Sequence, residues 1–264
     1  MEGTEAHLRG EAMRPYDEEP VSRLANLARR TGLFAVPVTG IAVLVARSGK
    51  VENVASLAAV GSGLVLAVLA ILLALAGFAS IWVTGHRGGK SALLGLVLGA
   101  AVLAYPIYVV ADGLGYPALI DVTTDVANPP VFVGAVAERQ PGQNTLVYGG
   151  ESVALVQLAA YPEIVPVTTD LPPQETQAVA LQLMRDRGWR VIGGEKAGAP
   201  EVQIEAVASS FLLGLKSDVV VRIRPAGRGS RIDMRSASRF GSRDFGANAL
   251  LVRSYMTELM GATR

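Results

Sequence analysis

The hydrophobic pattern of the chain changes abruptly near residue 112. Before it, apolar residues run in long stretches; after it, they alternate with polar ones or recur at helical spacing. Between Glu52 and His86 no residue is charged, and Leu57–Thr84 is almost wholly Ala, Leu, Val, Ile and Gly. At about 1.5 Å per residue this run exceeds the roughly 30 Å hydrocarbon core of a bilayer, so it predicts a membrane-crossing helix with room to tilt. Ser91–Ala111, between Lys90 and Asp112, predicts another. Thr31–Ala46, flanked by Arg30 and Arg47 and interrupted by Pro37, is shorter. It spans if both arginines snorkel or if the helix begins nearer Val21; the alternative is a re-entrant or interfacial segment. The pattern thus places a transmembrane region at 21–111, with three spans at about 31–46, 57–84 and 91–111.

The second half reads differently. Residues 112–150 form an extended Pro/Gly-rich segment, in which Asn128-Pro-Pro130 forces extended geometry and Arg139–Ser152 reads as a loop. Residues 151–264 predict a soluble domain. Asp170-Leu-Pro-Pro173 opens a helix that Asp170 can cap, ending at Gly188, with Ala178, Val179, Leu181, Leu183 and Met184 as its buried side. Strands follow at Trp189–Gly193, Val202–Ala208, Val219–Arg224 and Arg231–Arg235, the last two joined by the turn Pro225–Gly229. Asp244 caps a final helix with Ala249, Val252, Met256 and Leu259 on one side. This order predicts an α+β fold whose antiparallel sheet is covered by helices on one face.

Charge adds an orientation. Arg14, Arg23, Arg29, Arg30, Arg87 and Lys90 fall on one side of the three spans, and Arg47 and Lys50 on the other. The positive-inside rule then puts the C-terminal domain outside the cytoplasm. Trp82, Tyr105 and Tyr108 sit near span ends, as interfacial aromatics do. Ser91, Gly95 and Gly99 make a small-residue stripe suited to close packing on the second span of the same chain. Residues 1–20 are acidic and polar without an apolar core, and read as a disordered tail rather than a signal peptide. The string Thr84–Ser91 imitates a phosphate-binding P-loop, but Thr84 stands where the pattern needs glycine, and the string joins two apolar helices.

Several stretches together resemble a bacterial membrane-anchored family catalogued as domain of unknown function 1499. They are Asp121-Val-Thr-Thr-Asp-Val-Ala-Asn-Pro-Pro-Val-Phe132, Ala160-Tyr-Pro-Glu-Ile-Val-Pro166, Asp218-Val-Val-Val-Arg-Ile-Arg224 and Gly229–Arg239, followed by Gly241, Asp244, Gly246, Asn248 and Ala249. Ser217 and Leu251 depart from the family's pattern, standing where an acid and an arginine are common. The resemblance implies three spans and this architecture. It implies no activity.

The chemistry available is narrow. The chain has no cysteine, and its two histidines, His7 and His86, precede residue 112, so a Ser-His-Asp triad, a thiol nucleophile and the common zinc sites are excluded from the C-terminal domain. Asp121 and Asp125 are too sparse for a calcium loop and read as turn caps. No cofactor or metal is expected. What stands out is basic: eight Lys and Arg against two acids between Lys216 and Arg243. Arg222, Arg224, Arg231 and Arg235 fall on one hairpin face with Asp233 among them. Neighbouring guanidiniums repel unless acids or a bound anion offset them. One reading is internal pairing with Glu205 and Asp233 on the same face and Asp218 and Asp244 nearby. The other is a docking surface of Arg222, Arg224, Arg235 and Arg239, bordered by Asp121 and Asp125, for an envelope protein or an anionic envelope component. Nucleic acid is not expected, because no aromatic platform accompanies the arginines. The function expected is a non-enzymatic binding domain carried by the bilayer; the alternative is an envelope hydrolase using Asp/Glu and Arg.

Overall fold

The computed structural model describes residues 20–51, 53–193 and 201–263. The acidic tail, apart from Pro20, lies outside the described residues. The chain forms two compact units, one of residues up to Gly40 with Gly61–Leu103, the other of Ile41–Val60 with Ala104 onward.

Three helices, α1 (Arg23–Arg47), α2 (Asn53–Thr84) and α3 (Gly89–Gly113), are each long and apolar enough to cross a membrane. This is a membrane protein. Helix α1 starts at Arg23, well before Thr31, and runs through Pro37 without ending. Its start is tied to the α2–α3 turn: the Ser22 N–H donates to the Arg87 carbonyl at 2.8 Å, and the Arg87 N–H to the Pro20 carbonyl at 3.1 Å. A continuous helix of 25 residues, about 38 Å long, that begins beside that turn is no re-entrant loop.

In the first unit the helices meet through small residues. A Cβ on Gly95 would lie 2.6 Å from the carbonyl carbon of Ala28, and one on Gly99 would lie 2.7 Å from the Ala67 oxygen. The Ser91–Gly99 stripe is therefore used within the chain, as its spacing predicts, but it serves α1 as well as α2. Apolar tails offer no hydrophobic drive between helices, so such close backbone approach is what packs them.

The second unit holds the C-terminal domain. Its strands are β1 (Asp121–Thr123), β2 (Val167–Thr169), β3 (Arg190–Gly193), β4 (Val202–Ser209), β5 (Lys216–Ala226) and β6 (Gly229–Ser238). They make one antiparallel sheet in the order β1-β6-β5-β4-β3, with β2 sharing the outer edge of β6. The helices are α4 (Gly134–Glu138), α5 (Gly150–Ala160), α6 (Pro173–Asp186) and α7 (Ala247–Ala262). Alternation sends Val219, Val221, Ile223, Ile232 and Met234 to the face where Met184 of α6 and Val252 and Leu259 of α7 complete the core. Tyr255 of α7 stacks on Trp189 at 5.1 Å and donates its hydroxyl to the Ala180 carbonyl.

Four local expectations change. The β5–β6 turn is only Gly227-Arg228, since Ala226 pairs with Gly229; Gly227 supplies the positive φ, 61°, that so tight a turn requires. Helix α6 has no side-chain cap from Asp170. Of its expected buried side, Met184 is buried and Val179, Leu181 and Leu183 pack against the core, but Ala178 is exposed, and Thr176, Gln177 and Ala180 are buried instead, Thr176 anchoring the first turn by donating to the Leu171 carbonyl. The strands β1 and β2 and the helices α4 and α5 occupy stretches read as loop or left unassigned. Finally, the second sheet face is also covered: Phe132 and Ala135 pack on Val220 and Ala237, so the segment after Asp125 lies across the arginines.

Candidate functional site

The β5–β6 register sets Arg222 opposite Asp233, Arg224 opposite Arg231 and Val220 opposite Arg235, all on the face under residues 125–148. Three of the arginines are buried and paired with aspartates. Arg235 forms a two-point pair with Asp121, at 2.9 and 2.6 Å, and donates to the carbonyls of Pro130 and Leu146. Its guanidinium lies between the rings of Phe132 and Tyr148, 4.9 and 5.3 Å from their centres. Arg239 forms a two-point pair with Asp218, which also accepts from Arg139 at 2.6 Å. Burial depresses the pKa of Arg139, and Asp218 opposes that shift. Arg222 donates to Asp233 at 3.1 Å and to the Asn128 carbonyl at 2.8 Å.

The remaining two differ. The side chains of Arg224 and Arg231 are 27% and 42% exposed, whereas that of Arg222 is 5% exposed. All three direct an NH2 group at a single oxygen of Asp125, at 3.3, 3.4 and 3.3 Å. Those distances are long for charge-assisted bonds, which usually measure about 2.7–2.9 Å. The Nε of Arg224 is buried and has no hydrogen-bond partner among the described residues. Arg222, Arg224 and Arg231 share the two carboxylates of Asp125 and Asp233, so that edge keeps one excess positive charge, while at the other end Arg139 and Arg239 share Asp218, with Glu138 4.0 Å from Arg239.

Glu205 does not pair with the arginines as its place on this face suggests. It accepts the backbone N–H groups of Val133, Gly134 and Ala135 at 2.7, 3.0 and 2.8 Å, which carry the covering segment into α4. Asp244 also turns to backbone, accepting from Gly246 and Asn248 at 2.9 Å each ahead of α7. Burial raises its pKa against those bonds.

Residues 121–259, just over half of the chain, match the sequence model of a family described as "Protein of unknown function (DUF1499)". The chain belongs to this family. No curated protein and no solved structure matches it. The matched region of the DUF1499 domain begins at Asp121, the partner of Arg235, and takes in every member of the arginine–aspartate cluster. It also takes in residues that periodicity could not flag: Arg139, Asn144, Gln157 and Tyr148 matter through contacts distant in sequence. Asn144, for instance, donates to the carbonyls of Ser238 and Gly241.

Beside the cluster, the DUF1499 domain has a cavity of about 740 Å³ between the Asn128–Val136 stretch and residues 144–148. Arg235 and Tyr148 line it, and Val131, Val133, Val136 and Val147 near it are exposed. The Tyr148 hydroxyl has no partner, and burial, with Asp121, pushes its pKa up to about 12. It therefore stays a neutral donor. Asn128 belongs to both features, lining the cavity and accepting from Arg222.

Proposed function

We propose that the protein is a multi-pass protein of the bacterial inner membrane whose DUF1499 domain is a non-enzymatic binding module on the periplasmic side, engaging an anionic group of an envelope partner through Arg224 and Arg231. The observation that carries this reading is the shared Asp125 oxygen. Three guanidiniums share one Asp125 oxygen and the Asp233 carboxylate among them, and the Nε of Arg224, without a partner among the described residues, lies beside these acids. A phosphate or carboxylate brings several acceptor oxygens to that deficit, and exposed Arg231 gives it access. Buried Arg222, Arg235 and Arg239 hold the frame in which the two exposed arginines stand. Hydrolysis by Asp and Arg would need a carboxylate free to act as base, and Asp121, Asp125, Asp218 and Asp233 are each held by at least one guanidinium.

The test uses the full chain in mild detergent with inorganic pyrophosphate as probe. Melting temperature should rise with probe concentration, the rise should weaken with added salt, and it should vanish in Arg224→Gln with Arg231→Gln. An unresponsive wild type, or an equal response in the double variant, refutes the assignment.

A further inference from the structure

At the end of the β5–β6 hairpin away from Gly227-Arg228, the β4–β5 loop and the residues after β6 border a cavity of about 460 Å³, within the roughly 300–1,000 Å³ usual for small-molecule sites. Leu57, Trp189, Phe240, Phe245 and Leu250 supply its apolar wall. Leu57 belongs to α2, a helix fit to cross the membrane. The neighbouring helix ends reach the same part of the domain. The Arg47 guanidinium lies 4.3 Å from the ring centre of exposed Phe211, and Gly214 abuts the Ala46 carbonyl. Gly113, at the end of α3, lies under Phe245, so close that a Cβ there would fall 2.3 Å from the ring. Phe245 itself has φ of 53°, a conformation costly for a bulky residue.

Charge around the cavity is one-sided. Arg187, Lys216 and Arg243 line it. Arg187 pairs with Glu258, whereas Lys216 and Arg243 make no ion pair within the described residues. Asp244 is the one acid in the lining, and its two oxygens are engaged by backbone N–H groups. An apolar wall continuous with membrane-crossing helices, beneath two unpaired cations, fits an amphiphile that is anionic at its head. It does not fit a second copy of this surface, which would set like charges together.

We propose that this cavity binds an anionic phospholipid of the adjoining leaflet, the phosphate between Lys216 and Arg243 and the start of an acyl chain against Phe240, Phe245 and Leu250. The site lies at the opposite end of β5 from Arg224, roughly 26 Å away along the strand, so it stands or falls independently of the anion site there.

To test it, the full chain is purified in mild detergent, stripped of lipid and offered dioleoyl phosphatidylglycerol or dioleoyl phosphatidylcholine. Native mass spectrometry counts retained lipid, and melting temperature is read in parallel. One phosphatidylglycerol should be kept per chain, about tenfold more tightly than phosphatidylcholine, and Lys216→Gln with Arg243→Gln should weaken its retention about tenfold. Ala247→Trp, at the start of α7, fills the cavity without altering charge and should weaken retention too, with melting temperature in the absence of lipid near wild type. Arg224→Gln with Arg231→Gln should keep the lipid. Equal retention of the two lipids, full retention in both cavity variants, or the same stabilisation from inorganic phosphate alone in the Arg224→Gln, Arg231→Gln background overturns the proposal.

Discussion

Arg231 and Arg235 sit four residues apart on one face of β6 and meet very different surroundings. Arg235 is buried with Asp121, so Arg235→Gln strands a carboxylate in the interior and should cost about 3–5 kcal/mol. Arg231, 42% exposed, should cost under about 1 kcal/mol when replaced by Gln. Chemical denaturation of the pair in the same detergent separates them, and equal losses would contradict the division into frame and contact residues. Glu205 is the third informative position. Glu205→Ala leaves three N–H groups unpaired around α4 and should cost at least about 3 kcal/mol. Asp244 links stability to pH. Burial raises its folded-state pKa above the unfolded value, so its contribution is complete below the unfolded value and is lost as pH rises through the folded one. The stability difference between wild type and Asp244→Asn should therefore shrink from acidic to neutral pH. A difference that grows over that range would show the backbone bonds to Gly246 and Asn248 outweighing burial.

Among the elements, β1 is the least self-sufficient and depends most on tertiary contact. It pairs with β6 on one side; on the other, the Gln157 amide of α5 takes the place of a strand, accepting the Thr123 N–H at 2.9 Å and donating to the Thr123 carbonyl at 2.6 Å. Gln157→Leu removes both bonds in a fully buried place and should cost about 2–4 kcal/mol. Hydrogen exchange would locate the loss: the Thr123 amide should lose protection while that of Val221 keeps it, and uniform loss would mean that β1 does not open separately. Three residues are too few to show a period, which is why β1 and β2 left no mark in the sequence while β4, β5, β6 and α7 did. The same reasoning covers the site. The shared face of Arg222, Arg224, Arg231 and Arg235 follows from alternation alone. Which of them is buried depends on the segment after Asp125 folding back over the sheet, and no local pattern encodes that return. Glu205 shows the limit most clearly: its face was readable, its backbone partners some 70 residues away were not.

At the scale of the whole chain, the contact between the start of α1 and the α2–α3 turn turns a charge count into a topology. Arg87 is hydrogen-bonded to Pro20 and Ser22, so Arg23 and the Arg87–Lys90 turn face the same side of the membrane. With three crossings, Arg23, Arg29, Arg30, Arg87 and Lys90 gather there, against Arg47 and Lys50 opposite. Reversing the chain would place most of that positive charge on the unfavourable side, and no lysine or arginine follows α3 until Arg139 to compensate. The domain is therefore predicted to lie outside the cytoplasm, where, lacking cysteine, it has no thiol to form a disulfide. Alkaline phosphatase fused after Arg264 should be active, and β-lactamase fused there should protect intact cells. Replacing Arg87 and Lys90 with Gln removes two of those charges and leaves the apolar run Ser91–Ala111 unchanged, and should lower phosphatase activity per fusion molecule by allowing some chains to insert inverted. An inactive phosphatase fusion alongside an active cytoplasmic reporter at the same position would reverse the orientation and, with it, the periplasmic placement of the partner sought by Arg224 and Arg231. The lipid cavity would survive that reversal, since it requires only that the domain meet the leaflet in which the ends of α1, α2 and α3 lie.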